Sequence, residues 1–86
     1  MEKKYKFQAI TFRDHFHQND EWVTADGYEP KPFVMTYYGW VTVDNKEMVV
    51  LSHGTHQNDG EREFDSHMHI LKGNIIKRKT YKIDLI

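Results

Sequence analysis

The stretch FVMTYYGWVTVD (33–44) constrains the fold more than any other part of this chain. β-branched and aromatic side chains dominate both of its alternating faces, which is typical of a strand. One face carries Phe33, Met35, Tyr37, Val41 and Val43, and the other carries Thr36, Tyr38, Trp40 and Thr42. The pattern predicts a central strand of about ten residues. Gly39 in its middle indicates a bulge or a sharp bend, which favours a small sheet coiled into a barrel.

Four further strands are predicted around this one. EMVVLSH (47–53) follows a short turn and is predicted to be the returning arm of a hairpin. KKYKFQAITF (3–12) is predicted to be a first strand. Its apolar residues move from odd to even positions between Ala9 and Ile10, which predicts a bulge there. SHMHIL (66–71) and YKIDLI (81–86) alternate apolar with polar residues, as strands with one solvated face do. KGNIIKRKT (72–80) between them is predicted to contain one short helical turn.

Two polar stretches separate the predicted strands, and both contain the tetrapeptide HQND. HFHQNDEWVTADGYEPKP (15–32) carries an Asp-Gly pair and both prolines, and GTHQNDGEREFD (54–65) carries the turn signal Asn-Asp-Gly. We therefore expect both copies of HQND in loops. The residues around the two copies differ, which argues against an internal duplication. No linker is evident, so residues 1–86 are expected to form a single domain.

The composition favours a small protein that uses aromatic residues to build its core. The chain has five Phe, five Tyr, two Trp and no Cys, so neither disulfides nor a thiolate metal site can contribute. No apolar run approaches the ~20 residues that cross a bilayer, and the start lacks a secretory signal, so we expect a cytoplasmic protein without membrane contact. The formal net charge of −1, with both signs dispersed, argues against extended nucleic acid as a partner.

Several segments together resemble a group of short uncharacterised proteins encoded by phages and bacterial genomes. These segments are Phe-Arg-Asp ahead of Trp22, then VMTYYGWVTVD, MVVLSHG and the closing GNIIKRKTYKIDLI. In that group an Ile-Pro-Lys turn precedes the last apolar strand, whereas this chain has Ile76 where the proline would be. The resemblance implies a compact β fold of phage-like type, and by analogy interference with a host protein or capture of a host signalling nucleotide. It implies no particular activity.

The six histidines fall into three pairs along the chain: His15 with His17, His53 with His56, and His67 with His69. Two histidines that lie two residues apart on a strand point to one face about 7 Å apart, close enough to share a metal ion. Polar loops and solvated strand faces also carry such residues without binding a metal, and surface histidines are the expected interpretation here. Ser52-His53 and Ser66-His67 are sequence neighbours, whose side chains point to opposite faces, so no catalytic Ser-His pair is expected.

The spacing His-x-His-x-x-x-Glu, formed by His15, His17 and Glu21, resembles the first metal-binding motif of cupins, whose small β-barrels hold iron, manganese or zinc. The second cupin motif is absent, as is the glycine expected before the first histidine. The resemblance implies an alternative function, a metal-binding barrel or metal-dependent enzyme. Its divalent metal would bind His15, His17 and Glu21, with His67 or His69 as a further ligand.

The aromatic residues of the central strand favour a different function. Tyr38 and Trp40 lie opposite the larger apolar set, so one of the two sets exceeds what a single small core holds. An exposed aromatic set stacks a base or lies in a subunit interface. A strongly coiled barrel that wraps around both sets is the other possibility, as is a loop over 13–32 that covers one set with Trp22 and Tyr28.

We therefore predict a mainly β fold, a small five-stranded SH3-like or Sm-like barrel with one short helical turn, that binds a partner without catalysis and without a cofactor. The partner is another protein, a second copy in a homo-oligomer, or a nucleotide-sized ligand. In the last case the base stacks on Tyr38 or Trp40, and Lys77, Arg78 or Lys79 bind the phosphates. A solvated turn is the other interpretation of this basic tripeptide.

Overall fold

The computed structural model describes residues 5–14 and 22–83. They form β1 (Phe7–Asp14), β2 (Phe33–Asp44), β3 (Met48–Asn58), β4 (Glu61–Leu71), a single 3-10 turn (Lys72–Asn74) and β5 (Ile75–Tyr81). All five strands belong to one antiparallel sheet with the order β4-β3-β2-β1-β5. The prediction of a mainly β fold with one short helical turn is confirmed. The sheet is open, since β4 and β5 are its two outer strands in this part of the chain. Among the described residues, no helix has the length and apolarity to cross a membrane.

β2 is shared between two pairings. Its residues 33–40 pair with β1, and from Trp40 onward it pairs with β3. The register with β3 shifts between Val41 and Val43, so the bulge is at Thr42 rather than at Gly39. Gly39 has another role, because a Cβ there would lie 3.0 Å from the backbone oxygen of Ser52. The glycine therefore lets β2 approach β3 closely at the point where β2 changes partners.

β3 and β4 form a hairpin that is longer than predicted. They pair from Met48 opposite Leu71 to Asn58 opposite Glu61. Beyond Ser52, β3 has no second neighbour in the described chain, so residues 54–65 form a two-stranded ribbon, which we call the distal ribbon. Its turn consists of Asp59 (φ 51°) and Gly60 (φ 82°), the left-handed pair typical of a type I′ hairpin.

The distal ribbon corrects the prediction of a loop over 54–65. In the second HQND, residues 56–58 belong to β3, and only Asp59 lies in the turn. These strands were not predicted, because both faces of the ribbon carry polar side chains and the sequence there shows no alternation of apolar and polar residues. The first HQND lies outside the described residues.

β5 also differs from its prediction. It comprises Ile75–Tyr81 and pairs with β1, whereas the last strand was predicted over 81–86, of which 84–86 lie outside the described residues. The basic tripeptide 77–79 is therefore in a strand and not in a solvated turn. The bulge predicted in the first strand is not present, because β1 pairs with β2 without interruption from Phe7 to Asp14. The register shift opposite Thr11 and Phe12 instead leaves Ile76 of β5 as the extra residue. Edge strands keep many polar side chains in solvent, which weakens their alternation.

The hydrophobic core lies on one side of the sheet. Its buried cluster is Ile10, Phe12, Val49, Leu51 and Ile70, with Met35, Tyr37, Val41, Met68 and Ile75 packed around it. On the other side, Ala9, Trp40, Val50 and Ser52 are buried as well. The central strands therefore have buried residues on both sides.

Candidate functional site

Strand register brings four of the five predicted ligand-binding residues to one face. Tyr38 lies opposite Ala9, which lies opposite Lys79, and Trp40 lies opposite Phe7, which lies opposite Tyr81. Residues that are directly opposite each other in antiparallel strands share a face. Lys77, two residues before Lys79 on β5, shares it too. We call this surface the aromatic–lysine face; its members are Phe7, Tyr38, Trp40, Lys77, Lys79 and Tyr81.

Two tyrosines form the exposed part of the aromatic–lysine face. The side chains of Tyr38 and Tyr81 are 52% and 36% exposed, and their ring centroids lie 6.4 Å apart with the planes tilted by 42°. The ammonium nitrogen of Lys79 lies 5.1 Å from the centroid of the Tyr81 ring, a cation–π distance. Of the alternatives that the sequence left open for Tyr38, exposed or covered, the structure has the exposed one. Tyr81 is a member of the face that the sequence did not reveal.

Trp40 corrects the prediction of a stacking surface. It is only 6% exposed, and its ring packs edge-on against Phe7 with centroids 4.9 Å apart. A buried indole has no open ring face for a base, so Trp40 supports the aromatic–lysine face from beneath. Trp22 is fully exposed and covers neither aromatic set, contrary to one of the sequence-based possibilities.

Arg78 lies on the opposite side of the sheet from Lys77 and Lys79, and it has structural partners. Its Nε and Nη2 donate to Oε1 of Gln8 at 3.0 and 2.7 Å, and Nη2 also donates to Oδ2 of Asp44 at 3.0 Å. Gln8 is buried, and its amide nitrogen donates to Thr80 at 3.0 Å. Arg78 therefore ties β5 to β1 and β2, and the prediction that it binds phosphate with the two lysines does not fit this geometry.

Asp44 connects this network to the 3-10 turn. Its Oδ1 lies 2.6 Å from Nζ of Lys72, and its Oδ2 accepts from Arg78. The hydrogen bond from Lys72, and next the one from Arg78, hold the pKa of Asp44 below its ordinary value. The carboxylate thus joins the end of β2 to the segment between β4 and β5.

His67 and His69 lie exposed on one face of β4, because their partners on β3 are Ser52 and Val50. This shared face was predicted. Within 5–14 and 22–83, no group of three or more His, Cys, Asp or Glu side chains is placed to hold a metal ion. The other residues of the metal hypothesis, His15, His17 and Glu21, lie outside the described residues.

A Ser-His contact exists that the sequence did not indicate. The hydroxyl oxygen of Ser52 lies 2.7 Å from Nδ1 of His67 and 2.9 Å from the hydroxyl oxygen of Thr42. The pair joins neighbouring strands, so it becomes visible only when the register is known. Ser52 is fully buried, which keeps its hydroxyl from any substrate, and the contact serves packing.

Comparisons of this chain with protein-family models, with curated proteins and with solved structures found no match. Its function is therefore inferred from its own geometry. The feature that is most suited to binding is the aromatic–lysine face, where exposed rings and ammonium groups lie side by side.

Proposed function

We propose that this chain is a non-catalytic binding module whose aromatic–lysine face holds a planar, negatively charged ligand of nucleotide size. The observation that carries the proposal is that Tyr38 of β2 and Tyr81, Lys77 and Lys79 of β5 lie on one face of the two strands that flank β1. Aromatic rings stack on bases, with about 1–3 kcal/mol per base in known cases, and ammonium groups pair with phosphate.

The dimensions of the face suit a mononucleotide. β1 separates β2 from β5, and strands lie about 4.8 Å apart, so Tyr38 and Lys79 are about 10 Å apart at the backbone. A base on the tyrosines would thus place its phosphate near the lysines. Two lysines, in a chain of net charge −1, favour a small anion over an extended polymer.

We also propose that the sheet is a barrel of the SH3-like or Sm-like type. Three observations support this: the strand order, the passage of β2 from one pairing to another, and the 3-10 turn before the last strand. In such a barrel the aromatic–lysine face lies on the outside, away from the core around Ile10 and Leu51.

The test is a nucleotide panel measured by thermal melting and calorimetry, with inorganic phosphate as a separate ligand. A nucleotide that binds should raise Tm, and Tyr38→Ala should remove the increase, whereas Tyr38→Phe keeps the ring and should preserve it. Tyr28→Ala, which removes an exposed tyrosine outside the face, is the matched control. Lys79→Ala should weaken binding, and Lys46→Ala in the β2–β3 turn should not. The proposal fails if no nucleotide raises Tm or if Tyr38→Ala leaves the increase unchanged.

A protein partner is a second candidate for the same face. Val34 is exposed on β2 and shares its side with Tyr38, which extends the apolar area beyond what a base would cover. Exposed aromatic residues beside apolar ones are typical of interface hot spots. Val34→Ser would weaken binding to a protein but should leave nucleotide binding unchanged, which separates the two candidates.

Metal binding is the remaining candidate, favoured by one observation at His67. Its Nδ1 is engaged by Ser52, so its Nε2 points the other way, an arrangement that orients histidine ligands in metal sites. Elemental analysis of untagged protein, with thermal melts with and without EDTA, tests it. Stoichiometric metal and a melt lowered by EDTA, both lost in His67→Ala, would favour this candidate over the nucleotide module.

A further inference from the structure

The sheet order begins with β4 and ends with β5. Neither of these outer strands has a further strand beside it among residues 5–14 and 22–83. An unpaired edge presents backbone N–H and C=O groups that can bind a further strand. The β4 edge includes one strand of the distal ribbon. A further strand would stabilise this ribbon, because a two-stranded hairpin alone is marginally stable in water.

The outer strands carry opposite charges on the same side of the sheet. On β4, every second residue lies on this side, and these residues are three acids followed by two histidines: Glu61, Glu63, Asp65, His67 and His69. On β5, this side carries Lys77 and Lys79, and the strand has no acidic residue. The pairing of Trp40 with both Phe7 and Ser52 establishes that the two rows share a side.

We propose that β5 of one copy of this chain pairs with β4 of a second copy, so that the sheet continues from protomer to protomer. The charges select this pairing among the possible ones. Two β4 edges would place carboxylates against one another or, in an antiparallel pair, against the histidines of the same row, so no lysine would face them. Two β5 edges would place lysines against lysines. Only the combination of β4 with β5 brings Lys77 and Lys79 beside Glu61, Glu63 and Asp65.

The direction of the strands fits a continuous sheet. Each neighbouring pair in the order β4-β3-β2-β1-β5 is antiparallel, so β4 and β5 run in the same direction. The added pairing is therefore parallel. Different surfaces meet in it, which makes a head-to-tail contact that closes into a ring or extends as a chain.

Side-chain contacts between its two strands already order the distal ribbon, so a further strand could add to it directly. Its residues are already held by the contact of His56 Nε2 with Glu63 Oε1 at 2.8 Å and by the hydrogen bond from Thr55 to the backbone oxygen of Glu63 at 2.9 Å. A third strand would convert the ribbon into a three-stranded sheet. Because the same lysines contribute to the proposed ligand site, the assembled form is expected to bind a nucleotide more weakly. The pairing itself requires no ligand.

Sedimentation velocity of the untagged, ligand-free chain tests this proposal. The mass should rise with protein concentration at low salt and return to that of the monomer at high salt, where charges are screened. Glu61→Lys with Asp65→Lys should give a monomer, and so should Lys77→Glu with Lys79→Glu. An equimolar mixture of the two double variants should associate again, because each then offers an edge that complements the other.

The control reverses charges away from both edges, with Glu29→Lys and Lys46→Glu, and should associate like the wild type. Circular dichroism and urea unfolding verify that each variant is folded. A wild type that stays monomeric at low salt would overturn the proposal, as would association that both double variants retain. A mixture that remains monomeric would overturn it too. Nucleotide binding is measured separately, so its failure would leave this result intact.

Discussion

Ser52 and His67 are joined across β3 and β4 by a contact of 2.7 Å between hydroxyl oxygen and Nδ1. The same hydroxyl lies 2.9 Å from that of Thr42, the bulge residue of β2. One buried oxygen thus links three strands where β2 changes from one partner to the other. The link holds the junction of the two halves of the sheet, although nothing in the sequence marks Ser52 as special.

Ser52→Ala should lower the free energy of unfolding by about 1–2 kcal/mol. The change removes the contacts of the Ser52 hydroxyl with His67 and with Thr42. The hydroxyl of Thr42 then keeps only its hydrogen bond to the backbone oxygen of Val50, at 3.4 Å. Urea unfolding of the two proteins measures the difference. Thr55→Ala, which removes an exposed hydrogen bond, should cost less than about 0.5 kcal/mol. Equal losses for both variants would contradict the structural role of Ser52.

Gly39→Ala should destabilise the protein by about 1–3 kcal/mol, because its Cβ would lie 3.0 Å from the backbone oxygen of Ser52 and 3.1 Å from Cβ of Leu51. Backbone atoms cannot move aside without disturbing the pairing of β2 with β3. Gly73→Ala is the matched control, since a Cβ at Gly73 would meet no atom within 4 Å. Chemical denaturation of both variants should show the loss in Gly39→Ala alone.

The contribution of Asp44 should depend on pH. Lys72 and Arg78 hold the folded-state pKa of Asp44 below its ordinary value of 3.8, so the carboxylate stabilises the fold above that value. The contribution should be lost as the pH falls from 3.8 through the lower folded-state pKa. Asp44→Asn should therefore differ from wild type in urea unfolding at about pH 7, and the difference should shrink at about pH 3.

Asp26→Asn is the control for this measurement. Asp26 lies in the β1–β2 loop and forms no ion pair with the described residues. Its substitution should change the free energy of unfolding little at either pH. A difference between wild type and Asp44→Asn that stays constant with pH would show that the ion pairs do not stabilise the fold.

Removal of the ring contact between Tyr5 and Phe64 should loosen the distal ribbon. The two centroids lie 4.7 Å apart in an edge-on arrangement, which ties the ribbon to the segment before β1. In Phe64→Ala and in Tyr5→Ala, amides of residues 54–65 should exchange faster with deuterium, while those of Val49 and Leu51 should be unaffected. Unchanged exchange in Tyr5→Ala would show that the ribbon does not depend on this contact.

Prediction from the sequence succeeded where a strand buries one side or both. β2 and the first half of β3 have strong β-branched and aromatic patterns, and both were located correctly. The distal ribbon and β5 were missed or misplaced, because solvated side chains on an edge strand leave no apolar alternation. The turn signal at 58–60 was correct, although the strands beside it were not recognised.

The candidate site shows a similar division. Alternation correctly grouped Tyr38 with Trp40, since parity decides which residues of a strand share a face. Residues 77–79 were not predicted to be in a strand, so Lys77 and Lys79 were not separated from Arg78. Parity does not decide whether the face is covered, so the burial of Trp40 was not foreseen. The separation of Arg78 from the lysines follows from the same parity rule, but its partners Gln8 and Asp44 come from distant parts of the chain.

The pairing of β1 with β5 has a consequence for the synthesis of the protein. Gln8 bonds to Arg78 and Thr80, so the last neighbour of β1 is made long after β1 itself. A nascent chain on the ribosome has a β1 with one bare edge until residues 75–81 have been translated. Closing so long a loop is entropically slow, and a chaperone that shields β1 during elongation should raise the yield of folded protein.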